Sequence, residues 1–292
     1  MRALVTGSAG FVGRHVMAEL VRRGYDVVHC DIVNGFDALG AFRGADWRAK
    51  DQFDLVVHAA ASSPHRAAID GEPQHLARNL QLDAAMFDWA VRTGQGRVLY
   101  LSSSAAYPIK CQQDTRWGRL SEDWIYLDNA DEPDADYGWA KLSGERMAAA
   151  ARRAGLSVTV VRPFSGYGED QSENFPFRAL VERARRREDP FTIWGDGRQV
   201  RDWIHIDDVV AGMLAVADSG TEEPVNLCTG IGTSMAELAA LACEQVGYEP
   251  RFEFLADKPA GVAYRVGDPV RFHQYYQPTV TLAEGVARAL SS

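Results

Sequence analysis

Ala3-Leu4-Val5-Thr6-Gly7-Ser8-Ala9-Gly10-Phe11-Val12-Gly13 is the stretch that decides how this chain folds. A short apolar run stops at a glycine, and an amphipathic segment follows three glycines spaced three apart, which reads as strand, phosphate loop and helix. Gly7 permits the tight turn out of the strand, Gly10 lets a pyrophosphate approach the backbone, and Gly13 lets the helix lie close on the sheet. The amides that open the helix, around Phe11 and Val12, then face an anion. Val16, Met17, Leu20 and Val21 follow at helical spacing, Gly24 ends the helix, and Asp26 to Cys30 reads as a second strand ending at Asp31. A carboxylate there accepts hydrogen bonds from both hydroxyls of an adenosine ribose and repels a 2′-phosphate, so the loop is expected to take NAD rather than NADP.

The rest of the composition is that of an ordinary soluble protein. The chain has 292 residues and 46% hydrophobic content, enough for one large or two intimately joined domains around a packed core. Its net charge of −9 gives no electrostatic reason to expect nucleic acid or an anionic membrane as a partner, so an anionic ligand has to be held locally. Arg183, Arg185, Arg186 and Arg187 are followed by Glu188 and Asp189 and read as a solvated helix end. The first residues enter the first strand without a signal peptide and no apolar segment is long enough to span a bilayer, which leads to the expectation of a cytoplasmic protein. Cys30, Cys111, Cys228 and Cys243 are scattered, and His58, His65 and His75 lack ligand spacing, so neither a disulfide framework nor a metal site is expected.

Further along, Ala38 to Phe42 reads as a helical turn and Asp46-Trp47-Arg48 as a short strand, with Asp46 either near an adenine or facing solvent. Leu55-Val56-Val57 is a strand running into His58-Ala59-Ala60-Ala61, where the small side chains at Ala59 and Ala60 let the backbone lie flat against a cofactor. Pro73 to Arg92 carries apolar residues at a mostly helical period, interrupted by Asn79. Val98-Leu99-Tyr100-Leu101 is uniformly apolar, as a central parallel strand is. Strand, helix and strand in alternation predict an α/β, doubly wound parallel sheet.

Ser102, Ser103 and Ser104 stand at the carboxyl end of that strand, where function concentrates in open α/β sheets. Tyr137 and Lys141 lie four apart on a segment that reads as a helix up to Gly155, so they share one face, and an ammonium beside a phenol favours the phenolate. Tyr137 is thus a candidate general base.

The glycine loop, Asp31, His58 to Ala61, Ser102 to Ser104, Tyr137-x-x-x-Lys141 and Arg162-Pro163-Phe164 occur together in an order that resembles the extended short-chain dehydrogenase/reductases, in particular their NAD-dependent sugar-nucleotide epimerase/dehydratase branch. The run from Ile193 to Asp208 looks like that family's nucleotide-diphosphate segment, so the resemblance covers most of the chain. It implies a Rossmann domain over residues 1–163 plus about 205–227, and a smaller mixed α/β substrate domain over about 164–204 plus 228–292, with the site between them. It further implies that Ser103 hydrogen-bonds the reacting sugar hydroxyl, with Ser104 beside it, that Tyr137 removes the proton, and that Lys141 also holds the nicotinamide ribose. Asn174 and Arg201 match positions that contact the phosphates of a nucleotide-diphosphate sugar. The family pairs the Tyr137 helix with its counterpart in a second subunit, so a homodimer is expected, with Ala148 to Ala151 as the close-packing face.

The chain departs from the family pattern in places. The stretch from Pro108 to Asp134, with Trp117, Trp124 and Tyr126, is longer than usual and either caps the substrate or forms a surface loop. Lys258 stands where an arginine often grips the diphosphate, and Cys111 is a secondary acid/base candidate. The residues after Ser103, where the family's 4,6-dehydratases carry Asp-Glu, are Ser104 and Ala105. The reading that follows is an epimerase. A dehydratase or keto-sugar reductase of the same family is the alternative, with a non-catalytic NAD-sensing protein behind both.

Overall fold

The computed structural model describes residues 1–44, 51–62 and 74–292. The expectations for Asp46 to Arg48, His65 and Pro73 lie outside the described residues.

Among the described residues six parallel strands form the central sheet. They are β1 (Arg2–Thr6), β2 (Asp26–Cys30), β3 (Leu55–His58), β4 (Arg97–Leu101), β5 (Ser157–Pro163) and β9 (Val225–Leu227), in the spatial order β2-β1-β3-β4-β5-β9. Successive side chains point to opposite faces, so each strand feeds two cores. Ala3, Val5, Val57, Leu99 and Val161 meet helix α1 (Phe11–Arg22) and helix α6 (Ile206–Ser219) on one face. Leu4, Val56, Val98, Tyr100 and Val160 meet α3 (Gln74–Thr93) and α4 (Ala135–Arg153) on the other. This double burial explains why these strands are apolar throughout rather than alternating. The short helix α2 (Ala38–Phe42), capped by the Asp37 carboxylate, puts Phe42 into the second core.

Several polar residues inside this apolar layer are held by partners. Asn79, which breaks the helical pattern, accepts from the Ser62 amide at 2.7 Å and donates to the Ser62 carbonyl at 2.9 Å. Asp83 accepts from the Tyr100 hydroxyl at 2.6 Å and lies 3.1 Å from His58. Arg162 and Glu145 form a fully buried pair, with Arg162 Nη2 2.7 Å from a Glu145 oxygen and side chains 2% and 1% exposed. The Ser102 hydroxyl donates to the same carboxylate.

The remainder of the chain builds smaller sheets. Strand β8 (Val200–His205) pairs with β6 (Ser165–Tyr167), β10 (Gly232–Ser234) and β12 (Tyr264–Arg265), while β7 (Phe191–Trp194) pairs with β11 (Phe252–Leu255). Helices α5 (Pro176–Arg185), α7 (Met235–Val246) and α8 (Leu282–Ser291) cover them through Phe177, Val181, Leu238, Ala242 and Val286.

The long segment before α4 closes the open edge of the sheet. Glu122 accepts from the Asn226 amide of edge strand β9 at 2.9 Å, and Asn226 Nδ2 donates to the Leu120 carbonyl at 2.9 Å. A side-chain carboxylate thereby takes the place of a further strand, and burial pushes its pKa up. Leu120 continues the contact, donating to the Val266 carbonyl at 2.8 Å.

One expectation is corrected. The Ala148 to Ala151 run is not a single exposed face, because four consecutive helical residues span a full turn; Ala148 is 0% and Ala151 5% exposed, both in the core. Among the described residues no helix is long and apolar enough to cross a membrane.

Candidate active site

A cleft of about 470 Å³ opens at the carboxyl ends of β1, β4 and β5. The phosphate loop forms its floor. Gly7 has φ +68°, and a Cβ there would lie 2.7 Å from the Ala60 backbone, so the chain leaving strand β3 passes directly against the loop. A Cβ on Gly13 would lie 2.0 Å from the Gly7 carbonyl oxygen, which forces glycine where α1 meets the turn. Gly10 is extended, with φ −68° and ψ 168°, so its missing side chain serves space and not conformation. Phe11, Val12, Ala59 and Ala61 line the cleft, whereas Ala60 contributes backbone against Gly7.

Asp31 stands at the end of β2 on the cleft wall. Its Oδ2 accepts from the Ala9 amide at 2.9 Å and its Oδ1 from the Val33 amide at 3.0 Å, which ties the phosphate loop to the neighbouring strand. A carboxylate has about four acceptor sites, so these two bonds are compatible with further ones to a ribose. The bare cradle between Gly7 and Gly13 and the fixed carboxylate at its end fit a dinucleotide.

The reacting end is built by β4 and α4. Ser103 opens a 3₁₀ turn over Ser104–Ala106, and its Oγ accepts from the Ala105 amide at 3.1 Å, holding the side chain at the cleft wall. Ser104 lies inside that turn, 5% exposed and off the wall, so the structure does not bring it together with the other candidates. Lys141 is buried and donates from Nζ to the Leu101 carbonyl at 2.8 Å, with Nζ 5.8 Å from the centre of the Tyr137 ring. Ser103, Tyr137 and Lys141 therefore share one wall. Cys111 does not: it is buried beside Tyr107, Leu120 and Phe164, and burial pushes its thiol pKa up.

A second compartment of about 410 Å³ continues from the first, sharing Phe175, Pro176, Arg201 and Met235 with it. Asn174 lines it, next to Trp194 and Gln199. Arg201 donates to the Val200 carbonyl at 2.8 Å and the Ala260 carbonyl at 3.4 Å. Lys258, which stands where an arginine often grips the diphosphate in the family, is half exposed, 4.0 Å from Asp257 and not on the wall. Arg265 is there instead. It is the register partner of Arg201 across β12 and β8, so two arginines line the cleft from neighbouring strands, Arg265 being held there by Asp134 and Gln112. Like charges directly across a strand pair destabilise a sheet, and an anion between them reverses that. Nothing local in the sequence marks Arg265; its signal is the register.

A sequence profile of the NAD dependent epimerase/dehydratase family matches residues 3–228. The chain belongs to this family. It is 27% identical to a putative UDP-glucose 4-epimerase of Methanocaldococcus jannaschii, over 99% of this chain and 97% of that protein. Among solved structures it resembles a UDP-glucose 4-epimerase with UDP-glucose from the hyperthermophile Thermotoga maritima, with TM-score 0.84, 25% identity, and 100% and 98% of the two chains covered. It also resembles DesIV, a dTDP-glucose 4,6-dehydratase from Streptomyces venezuelae with NAD bound, with TM-score 0.82, 26% identity, and 100% and 96% covered. The chain is thus an enzyme of the epimerase/dehydratase family with a Rossmann-like parallel sheet, and its cofactor is NAD.

Proposed function

We propose that the protein is an NAD-dependent epimerase acting on a nucleotide-diphosphate sugar. In this reading Gly7, Gly10, Phe11, Val12 and Gly13 receive the pyrophosphate of NAD, Asp31 the adenosine ribose and Lys141 the nicotinamide ribose. Bound NAD supplies the chemistry of accepting a hydride from a sugar carbon and returning it. Ser103 orients the sugar hydroxyl by hydrogen bonding while Tyr137 takes its proton, and returns it once the carbon has inverted. The Lys141 ammonium, buried beside the ring, stabilises the negative charge that passes through the phenolic oxygen. Asn174, Arg201 and Arg265 hold the diphosphate, the two guanidinium groups offering planar pairs of donors to phosphate oxygens.

The observation that carries the choice of epimerase is the character of the wall beside Ser103. Eliminating water needs a base for a carbon-bound proton and an acid for the departing hydroxyl. Here Ser104 is buried and Ala105 has no titratable group. In the 108–134 segment Glu122 is engaged by the Asn226 amide and Asp114 by Arg116, and neither lines the cleft. Asp134 does line it, but is engaged by Arg265. A non-catalytic NAD-binding role is disfavoured by the intact wall of Ser103, Tyr137 and Lys141. The test is incubation of purified protein with a panel of nucleotide sugars, with products followed by NMR and NAD by absorbance. The epimerase reading expects an isomer and no net consumption of NAD; net reduction of NAD or a dehydrated product overturns it.

A further inference from the structure

Asp134 connects three parts of the cleft that are far apart in sequence. Its side chain accepts from Arg265 Nη2 at 2.5 Å, while Gln112 accepts from Arg265 Nε at 2.5 Å, so two residues of the long segment before α4 fix the plane of that guanidinium. The Asp134 amide donates to the Ala105 carbonyl at 3.0 Å, inside the turn that Ser103 opens. The Asp134 carbonyl in turn accepts from the Gly138 amide at 3.0 Å, in the first turn of the helix that carries Tyr137.

The joint is tight. A Cβ on Gly138 would lie 2.4 Å from the Ala105 carbonyl oxygen, so the helix start and the serine turn cannot move independently. Ala135, between Asp134 and Tyr137, has φ +57°, a left-handed conformation that costs an L-residue about 1–3 kcal/mol and persists only where the surroundings enforce it. Asp134 itself is 3% exposed. Its carboxylate also offsets part of the positive charge at Arg201 and Arg265.

We propose that Asp134 is a positioning residue that couples occupancy of the phosphate end of the cleft, at Arg201 and Arg265, to the geometry of Ser103 and Tyr137 at the reacting end. Binding energy from the non-reacting diphosphate is thereby spent on aligning the base and the hydroxyl donor, so that it raises kcat and not only affinity. The proposal rests on the reading of the cleft as a nucleotide-sugar site.

The experiment uses the full chain with NAD bound and UDP, dTDP and GDP as probes, with affinity measured by calorimetry and amide exchange by mass spectrometry. In the wild-type protein the probe that binds most tightly is expected to slow exchange in segments 103–107 and 134–141 by about tenfold or more. Asp134→Ala is expected to keep NAD affinity, to lose that slowing at saturating probe, and to lower kcat by more than it raises KM. Asp134→Asn keeps an acceptor for Arg265 and is expected to restore part of both. A contact that merely supports the fold would lower stability without changing the response to the probe. Should Asp134→Ala not fold, Asp134→Ser, which keeps a small polar side chain but is too short to hold Arg265, takes its place and is read identically. Slowing that survives in the variant, or a change confined to KM, overturns the coupling. Binding of a probe without slowing in the wild type also overturns it, while leaving the nucleotide-sugar reading intact. Failure of all three probes to bind the wild type overturns that reading and the proposal with it.

Discussion

Lys141 donates a hydrogen bond from its buried ammonium to the carbonyl oxygen of Leu101 at 2.8 Å, which pins helix α4 to the last residue of strand β4. The residue after next is Ser103, and one turn before Lys141 on the same helix face is Tyr137. This contact between a side chain and a backbone carbonyl is one of those that set the spacing of the three groups proposed to act on the sugar.

The first prediction concerns the proton acceptor. Tyr137→Phe removes one hydroxyl and keeps the ring beside Lys141, so fold and NAD affinity should be retained. Turnover should fall by about 10²-fold or more, as expected for loss of a general base. Activity within a few-fold of wild type would remove Tyr137 from the mechanism.

The second concerns cofactor choice. Asp31 is fixed by the Ala9 and Val33 amides, so it cannot swing away from a 2′-phosphate. NAD should bind much more tightly than NADP. Asp31→Asn, which exchanges charge-assisted bonds for neutral ones, should cost NAD about tenfold or more in affinity and narrow the gap to NADP. Equal affinities of the wild-type protein for both cofactors, by calorimetry, would refute the assignment.

Third, the phosphate loop has no room for a side chain. With a Cβ on Gly13 placed 2.0 Å from the Gly7 carbonyl oxygen, Gly13→Ala must push the loop and helix apart. Overpacking of this kind costs about 1–3 kcal/mol, and the displaced amides should lose NAD. Urea denaturation and NAD titration of the variant check both effects; wild-type NAD affinity would show that the loop tolerates displacement.

Fourth, Glu145→Gln leaves the Arg162 guanidinium buried without its counter-charge, beneath Ser102. Breaking one side of a buried pair costs about 3–5 kcal/mol. A change below about 1 kcal/mol in chemical denaturation would mean that Arg162 finds adequate compensation in the Tyr107 hydroxyl and the Glu122 carbonyl, its other two partners.

How much of this was legible in the sequence follows the range of the interactions. The phosphate loop, Asp31, the strand at 97–101 and the Tyr137–Lys141 pair are local patterns, governed by glycine conformation, strand burial and helical spacing, and they appear where those rules put them. Asn79 looked like a flaw in a helix because its partner, the Ser62 backbone, is 17 residues away. Arg265 has no local signal, since what places it is its register against Arg201 and acceptors 153 and 131 residues distant at Gln112 and Asp134. The long segment before α4 could be read only as cap or loop, because its anchors to β9 are single hydrogen bonds without periodicity. The Ala148 to Ala151 run misled for a simpler reason: composition was read as a face without counting the turn.

The last prediction is about mass. Inversion at an oxidised carbon requires proton transfer at oxygen and hydride transfer at carbon, and the proposed wall of Ser103, Tyr137 and Lys141 with NAD supplies both. Loss of water requires in addition a carboxyl free to act on the carbon skeleton. Of the two carboxylates that the described residues place on the wall of the second compartment, Asp134 is held by Arg265 at 2.5 Å, and Glu173 is half exposed with both oxygens 3.0 Å from Arg186. Both are therefore committed to guanidinium groups and poorly placed to donate a proton to a leaving hydroxyl. The product should have the same mass as its nucleotide-sugar substrate, with NAD recovered at its starting concentration. Mass spectrometry of turnover mixtures decides: a product lighter by one water would replace the epimerase by a dehydratase.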